Sequence, residues 1–293
     1  MAAARSPFYH GGMNNEYNKL EALKQTTSPF PDVGLNATDL ANRSLRLQGA
    51  RIAKEILHQA TECAAEVLWP TRCALCDRPG SMLCPQCESN LHFIDTWQAC
   101  PRCGAPFGRA VCTECNPVAL KRMARDSLPF IGCVSATEFN EKSGRIVRTY
   151  KDQEERRLAA DMARIIARMI PPEWPIDAVT FVPASIEAIR RRDFDHGLLL
   201  AEHLAKQLGR PLLRTLENPR TKDQRELSRK ERSRDLAGSF RVKPYARETI
   251  LLAPKLLLVD DVFTTGATLC SATDALLEAG FEEVRCASFA RVY

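Results

Sequence analysis

The sequence predicts an α/β fold built on an open, mainly parallel sheet, with a small cysteine-rich metal module ahead of it. Three observations carry this. From about residue 128 the apolar residues alternate between strand-like and helix-like spacing, the pattern of an α/β sheet. KLLLVDD at 255–261 is a continuous apolar run ending in two acids, which suits a central parallel strand buried on both faces. Eight of the 12 cysteines fall in four CxxC pairs between 73 and 115, the spacing of metal ligands.

In chain order, residues 1–49 read as a poorly ordered extension, rich in Gly, Asn, Ser, Thr and Pro and without periodicity. Residues 50–69 read as an amphipathic helix with Ile52, Ile56, Ala60, Cys63 and Val67 on one stripe. The metal module occupies 70–120, and the α/β domain 128–293. Within that domain PFIGCVSATEF at 129–139 reads as a strand. Leu158, Met162, Ile165, Ile166 and Met169 mark a helix ended by Pro171 and Pro172. AVTFVPA at 178–184 is a second strand, and Leu200, Leu204 and Leu208 mark a helix stopped by Gly209. After 255–261 come a helix with Leu269, Ala272 and Leu276, a stop at Gly280, and a strand from about 283 to 290.

The 293 residues, 45% hydrophobic and 26% charged, are those of a globular protein with room for a sizeable core. A net charge of +5 permits anionic partners without the strong basic bias of a dedicated nucleic-acid binder. No apolar run reaches the roughly 18–20 residues of a membrane span, and MAAARSPFYHGG lacks a signal-peptide core, so a cytoplasmic protein is expected. In that setting the cysteines favour zinc over disulfides. Cys73, Cys76, Cys84 and Cys87 form one foursome and Cys100, Cys103, Cys112 and Cys115 another. Each can close a structural tetrathiolate zinc site, giving a double zinc ribbon, with interleaved pairing as the alternative. The remaining Cys133, Cys270 and Cys286 read as core residues. The five histidines form no Ser/His/Asp grouping and no HExxH run, which leaves hydrolase chemistry without support.

VDDVFTTGATL at 259–269 stands where parallel sheets bind ligands, at the carboxyl end of a strand leading into a helix. The backbone N–H groups of Thr264, Thr265, Gly266, Ala267 and Thr268 would meet a phosphate at the positive end of that helix. The threonine hydroxyls can add donors. Asp260 and Asp261 are acceptors and call for donors, which vicinal sugar hydroxyls supply. Helix capping alone needs one polar residue, not two acids and three threonines, so the run specifies a sugar phosphate.

This run resembles the PRPP (phosphoribosyl pyrophosphate) motif of type I phosphoribosyltransferases. The resemblance implies that Asp260 and Asp261, the candidate catalytic pair, bind the ribose hydroxyls, that Thr264 to Thr268 bind the 5′-phosphate, and that Mg²⁺ bridges ribose and pyrophosphate. The order of segments from about 60 onward further resembles the ComF family, in which a zinc ribbon precedes a phosphoribosyltransferase-like domain. Tyr150 and Lys151 match its lysine-bearing helix, and VPASIEAIRRRDFDHG at 182–197 its V-P…R-R-x-x-R-G-F-N-Q stretch. Gln224, Leu227, Arg232, Leu236 and Phe240 match a further segment. Asp193, Asp195 and His196 stand for the family's Gly, Asn and Gln, and the first of these adds negative charge near the implied pyrophosphate loop.

Arg190, Arg191 and Arg192 are candidates to hold the pyrophosphate by paired hydrogen bonds, against the alternative of a solvated basic helix face. Lys151 is a candidate phosphate contact, against a surface lysine. Residues 214–247, with eleven basic residues against five acidic, suit a flap that closes over a water-sensitive centre. Expected ligands are therefore PRPP with Mg²⁺, plus two structural zincs. The functional alternatives are competence-type handling of single-stranded DNA on the ribbons, and PRPP-dependent regulation without turnover. Self-association stays open.

Overall fold

The computed structural model describes residues 70–218 and 240–293, which belong to one compact unit, Trp69–Tyr293. The extension expected over 1–49, the helix expected over 50–69, and the matched residues Gln224, Leu227, Arg232 and Leu236 lie outside the described residues.

Two short helices follow the CxxC turns. Pro85–Ser89 (α1) starts at Cys84, whose sulfur accepts from Cys87 N–H, and Pro117–Arg122 (α2) is capped by Asn116, which accepts from Ala119 N–H at 2.8 Å. In both, proline occupies the first turn, where its missing N–H costs nothing. Next come β1 (Gly132–Glu138), α3 (Glu141–Asp152), α4 (Leu158–Ala167), β2 (Ala178–Phe181), α5 (Ile186–Arg192) and α6 (His196–Leu208). The strands β3 (Leu216–Glu217) and β4 (Arg241–Val242) precede β5 (Lys255–Phe263), α7 (Ala267–Glu278) and β6 (Glu283–Arg291).

The main sheet has the order β1-β6-β5-β2, and all three pairings are parallel. As the sequence predicts, β5 is central, with Leu256 to Val259 buried on both faces. It continues two residues past the acids, so Asp260 and Asp261 lie on the last part of the strand and not beyond it. Packed against one face are α4 and α6, whose buried rows include Leu158, Met162, Ile165, Ile166, Leu200 and Leu204. Packed against the other is α7, through Leu269, Ala272 and Leu276. Gly209 caps α6 in the left-handed conformation expected of a helix stop. The helix α3, which periodicity had not marked, is set by a capping box in which Asn140 and Ser143 satisfy each other's backbone.

The two ribbons are built into this core. Cys73, Leu83 and Leu91 join the α4/α6 layer, whereas Cys100, Cys103 and Cys115 join the α7 layer. The linker between them runs antiparallel along the β1 edge, where Ile94 N–H donates to Ala136 O and Glu138 N–H to His92 O. Glu88 of α1 accepts from both Arg164 of α4 and Arg168, at 2.7–2.8 Å. β3 and β4 pair antiparallel, Leu216 opposite Val242, so the residues expected to form a flap depart from and return to one place; residues 219–239 of that segment are outside the described residues.

Candidate functional site

Asp260 and Asp261 occupy the carboxyl end of the central strand, and Thr264 to Thr268 lead from it into α7. Thr264 is exposed and Thr265, Ala267 and Thr268 half-buried, so the loop is open to a ligand. Gly266 at the start of α7 offers no side-chain cap, and Ala267 N–H makes only a long contact of 3.4 Å to Thr265 Oγ1. The first-turn donors of α7 are thus available to an anion. Gly266 is set by its conformation and by its neighbour. Its φ is +78°, and a Cβ there would lie 2.6 Å from the tip of the Phe263 ring. The loop turns tightly over that ring as well as presenting its backbone outward.

The two acids have unlike surroundings. Asp261 is 2% exposed and ion-paired with Lys151, the last-turn lysine of α3, which is itself largely buried. Burial alone would raise the Asp261 carboxyl, but the Lys151 charge, helped by His196, outweighs it and holds the group below the ordinary carboxylate range. Asp260 is half-buried, and its Oδ1 accepts from Asp261 N–H at 2.9 Å. Burial and the neighbouring Asp261 charge push its carboxyl well above the usual value. One acid is a fixed anion with a matched cation. The other, among the described residues, has no ion-pair partner and accepts one backbone N–H.

Around Lys151 the matched segments come together. Tyr150 is fully buried, and its hydroxyl donates to His196 O at 2.6 Å. Burial, then the charge of Asp261, raises the phenol, which stays a donor. Asp195 caps α6 by accepting from Gly197 and Leu198 N–H, and it also approaches Ala184 N–H at 3.4 Å in the loop after β2. That carboxylate is therefore occupied with backbone. Asp193 has φ +55° and its side chain is 95% exposed, 3.5 Å from Arg156. Asp195 thus turns its carboxylate onto backbone N–H groups, and Asp193 directs its own to solvent beside Arg156.

The three arginines of α5 have different surroundings. Arg190, Arg191 and Arg192 follow one another on α5, and a helix spreads consecutive residues around its axis. Arg190 and Arg191 are exposed, whereas Arg192 is buried, 3.4 Å from His196 Nδ1 and 3.7 Å from Asp152.

The cysteine foursomes are resolved as successive and not interleaved. Cys73, Cys76, Cys84 and Cys87 form one group and Cys100, Cys103, Cys112 and Cys115 the other, with the sulfurs of each group within 4.8 Å of one another. Cys76 and Cys84 are 3.7 Å apart, and Cys100–Cys115 and Cys103–Cys112 are each 3.6 Å apart. A tetrahedron with Zn–S near 2.3 Å needs sulfur separations of about 3.8 Å, so both groups fit zinc with no position left for substrate. All eight are free of disulfides. Cys133, Cys270 and Cys286 belong to neither group and are buried in the core beside the second one, as expected of core residues.

Comparison with known proteins matches this arrangement segment by segment. Residues 64–116 match the double zinc ribbon domain and residues 195–292 the phosphoribosyl transferase domain. Competence protein ComFC of Bacillus subtilis is 28% identical over 227 residues, covering 75% of this chain and 87% of its own length. The chain is thus similar to ComF-type proteins over most of its length. Also similar are the DNA utilization protein YhgH of Salmonella typhi, 26% identical across 74% of the chain and 95% of its own length, and competence protein F of Haemophilus influenzae, 24% identical across 71% and 96%. Among the described residues no helix is long and apolar enough to cross a membrane.

Proposed function

We propose that this protein is of the ComF type, binds PRPP with Mg²⁺ and transfers its phosphoribosyl group to an acceptor. The observation that supports this best is the pairing of a carboxylate with no ion-pair partner among the described residues, Asp260, with the start of α7 at the end of the central strand. In this reading Thr264, Thr265, Gly266, Ala267 and Thr268 hold the 5′-phosphate through backbone N–H and hydroxyl donors. Asp260 accepts from a ribose hydroxyl. Asp261 is the buried member of the pair, kept ionised and oriented by Lys151. Mg²⁺ would add charge neutralisation at the pyrophosphate, held by the ligand and by the acids. Lys151 then acts through Asp261 and not as a direct phosphate contact.

Calorimetry of PRPP binding with and without Mg²⁺ tests the reading. Binding that needs Mg²⁺ and is lost in Asp260→Asn supports it; no binding by the full chain overturns it. Pyrophosphate release with a panel of nucleobases separates transfer from regulation by PRPP alone.

A second reading, handling of single-stranded DNA, is favoured by the names of the relatives and by one surface. On the second ribbon Trp97 and Phe107 are 76% and 70% exposed, and Arg109 lies 5.6 Å from the Trp97 ring centre. Exposed rings with arginine are suited to stacking bases. Loss of salt-sensitive oligonucleotide binding in Trp97→Ala with Phe107→Ala would support it, and unchanged binding would remove the ribbon from it.

A further inference from the structure

Arg291 ends β6 and is only 2% exposed, yet among the described residues no carboxylate pairs with it. Its Nη1 donates to Cys103 O at 2.7 Å and its Nη2 to Cys103 Sγ at 3.6 Å. The other side of the guanidinium lies over the Phe263 ring, 3.9 Å from its centre. Phe263 stands opposite Arg291 in the β5–β6 register, and its ring is the surface against which Gly266 turns. One buried cation is thus sandwiched between a candidate zinc ligand and the floor of the phosphate loop.

A buried guanidinium needs an anion, and four thiolates around one Zn²⁺ carry a net charge of minus two. The second cysteine group supplies that anion. Hydrogen bonds to ligand atoms also orient a metal site and tune its affinity. Among the described residues no arginine hydrogen-bonds a sulfur of the first group, whose ribbon is tied by Glu88 to Arg164 and Arg168 on the opposite face of the sheet.

We propose that Arg291 is a positioning residue that couples zinc in the Cys100, Cys103, Cys112 and Cys115 group to the order of the loop Thr264 to Thr268, whereas zinc in the first group leaves that loop unaffected. Zinc loading of the second ribbon then tightens the hold on a ribose 5-phosphate. The ligand half of this rests on the PRPP reading, but the loop's order can be read without any ligand.

The test uses the full zinc-loaded chain and three measurements: zinc release to a chelator, amide hydrogen exchange over 264–268, and PRPP calorimetry with Mg²⁺. Arg291→Met is expected to release one of the two zincs about tenfold faster, the lower end of the effect of losing an outer partner of a metal ligand. Exchange over 264–268 rises alongside, while that of α4 stays unchanged. Cys112→Ser, which leaves Arg291 in place, gives the same loosening and covers the case in which Arg291→Met does not fold. Cys76→Ser, which empties the first group, leaves 264–268 as in the wild type. Wild-type zinc release and loop exchange in Arg291→Met would overturn the proposal, as would an unchanged loop in Cys112→Ser or an equal loosening in Cys76→Ser. If loop exchange follows the second zinc but the wild type binds no PRPP, the coupling stands and the PRPP reading fails.

Discussion

Lys151 and Asp261 form a buried ion pair across the candidate site, joining the last turn of α3 to the end of the central strand. The pair is mostly closed to water, so neither charge can fall back on solvent if the other is removed. Lys151→Met should therefore cost about 3–5 kcal/mol in urea unfolding, the size expected when one partner of a buried pair is deleted.

The pH dependence follows from the direction of the shift. Because the folded-state carboxyl of Asp261 is lowered, its contribution is fully present above the unfolded value of about 3.9 and is lost as pH falls from there through the folded value. Unfolding measured from pH 6 to pH 3 should show a steep acid loss in the wild type and a shallower one in Lys151→Met. Parallel curves would mean that Lys151 does not set the ionisation of Asp261.

Asp260 has the opposite sign. Its carboxyl is raised by burial and by Asp261, so ionising it opposes folding, and the penalty grows as pH rises through the raised value. Asp260→Asn should stabilise the ligand-free protein near neutral pH by roughly 0.5–2 kcal/mol, as removal of strain from a binding site often does. The gain should fade toward pH 4, while Mg²⁺-dependent PRPP binding is lost. Thermal unfolding at pH 7.5 and pH 4 checks the pair of effects; a destabilised Asp260→Asn at pH 7.5 would contradict it.

Much of this was readable in the sequence because it depends on local pattern. The apolar run Leu256 to Val259 fixed the central strand, Gly209 the end of α6, and the CxxC spacing the thiolate groups. What the sequence did not show depends on contacts between distant residues. The match of Tyr150 and Lys151 to a family helix did not reveal that Tyr150 anchors His196 and Lys151 neutralises Asp261. Arg291 carries no motif, and only the register that sets it against Phe263 gives it a role. Three adjacent arginines read as one cluster, but helical geometry sends Arg192 inward and leaves Arg190 and Arg191 at the surface. Asp193 could have been recognised as a positive-φ position from the glycine it replaces in the family pattern.

The successive pairing of cysteines predicts a metal count. Cys73→Ser together with Cys84→Ser disables one foursome and should leave one zinc per chain by elemental analysis, against two in the wild type. Cys84→Ser together with Cys103→Ser touches both foursomes and should leave none tightly held. An interleaved site would reverse these counts for at least one double variant, so the two preparations decide the pairing.

Gly266→Ala combines two costs at one atom. The left-handed φ of +78° disfavours any side chain, and the new methyl would meet the Phe263 ring at 2.6 Å. Backbone strain of this kind costs about 1–3 kcal/mol, and the overlap adds to it unless the ring moves. The ring is held under Arg291, so relief requires disturbing that stack. Gly266→Ala should accordingly lower stability and weaken sugar-phosphate binding together. Combining it with Phe263→Leu removes the overlap but not the strained φ, so the double variant should recover part of the stability relative to the sum of the single changes. Urea unfolding of the four proteins in that cycle measures the interaction directly. Simple additivity would show that the methyl and the ring do not meet.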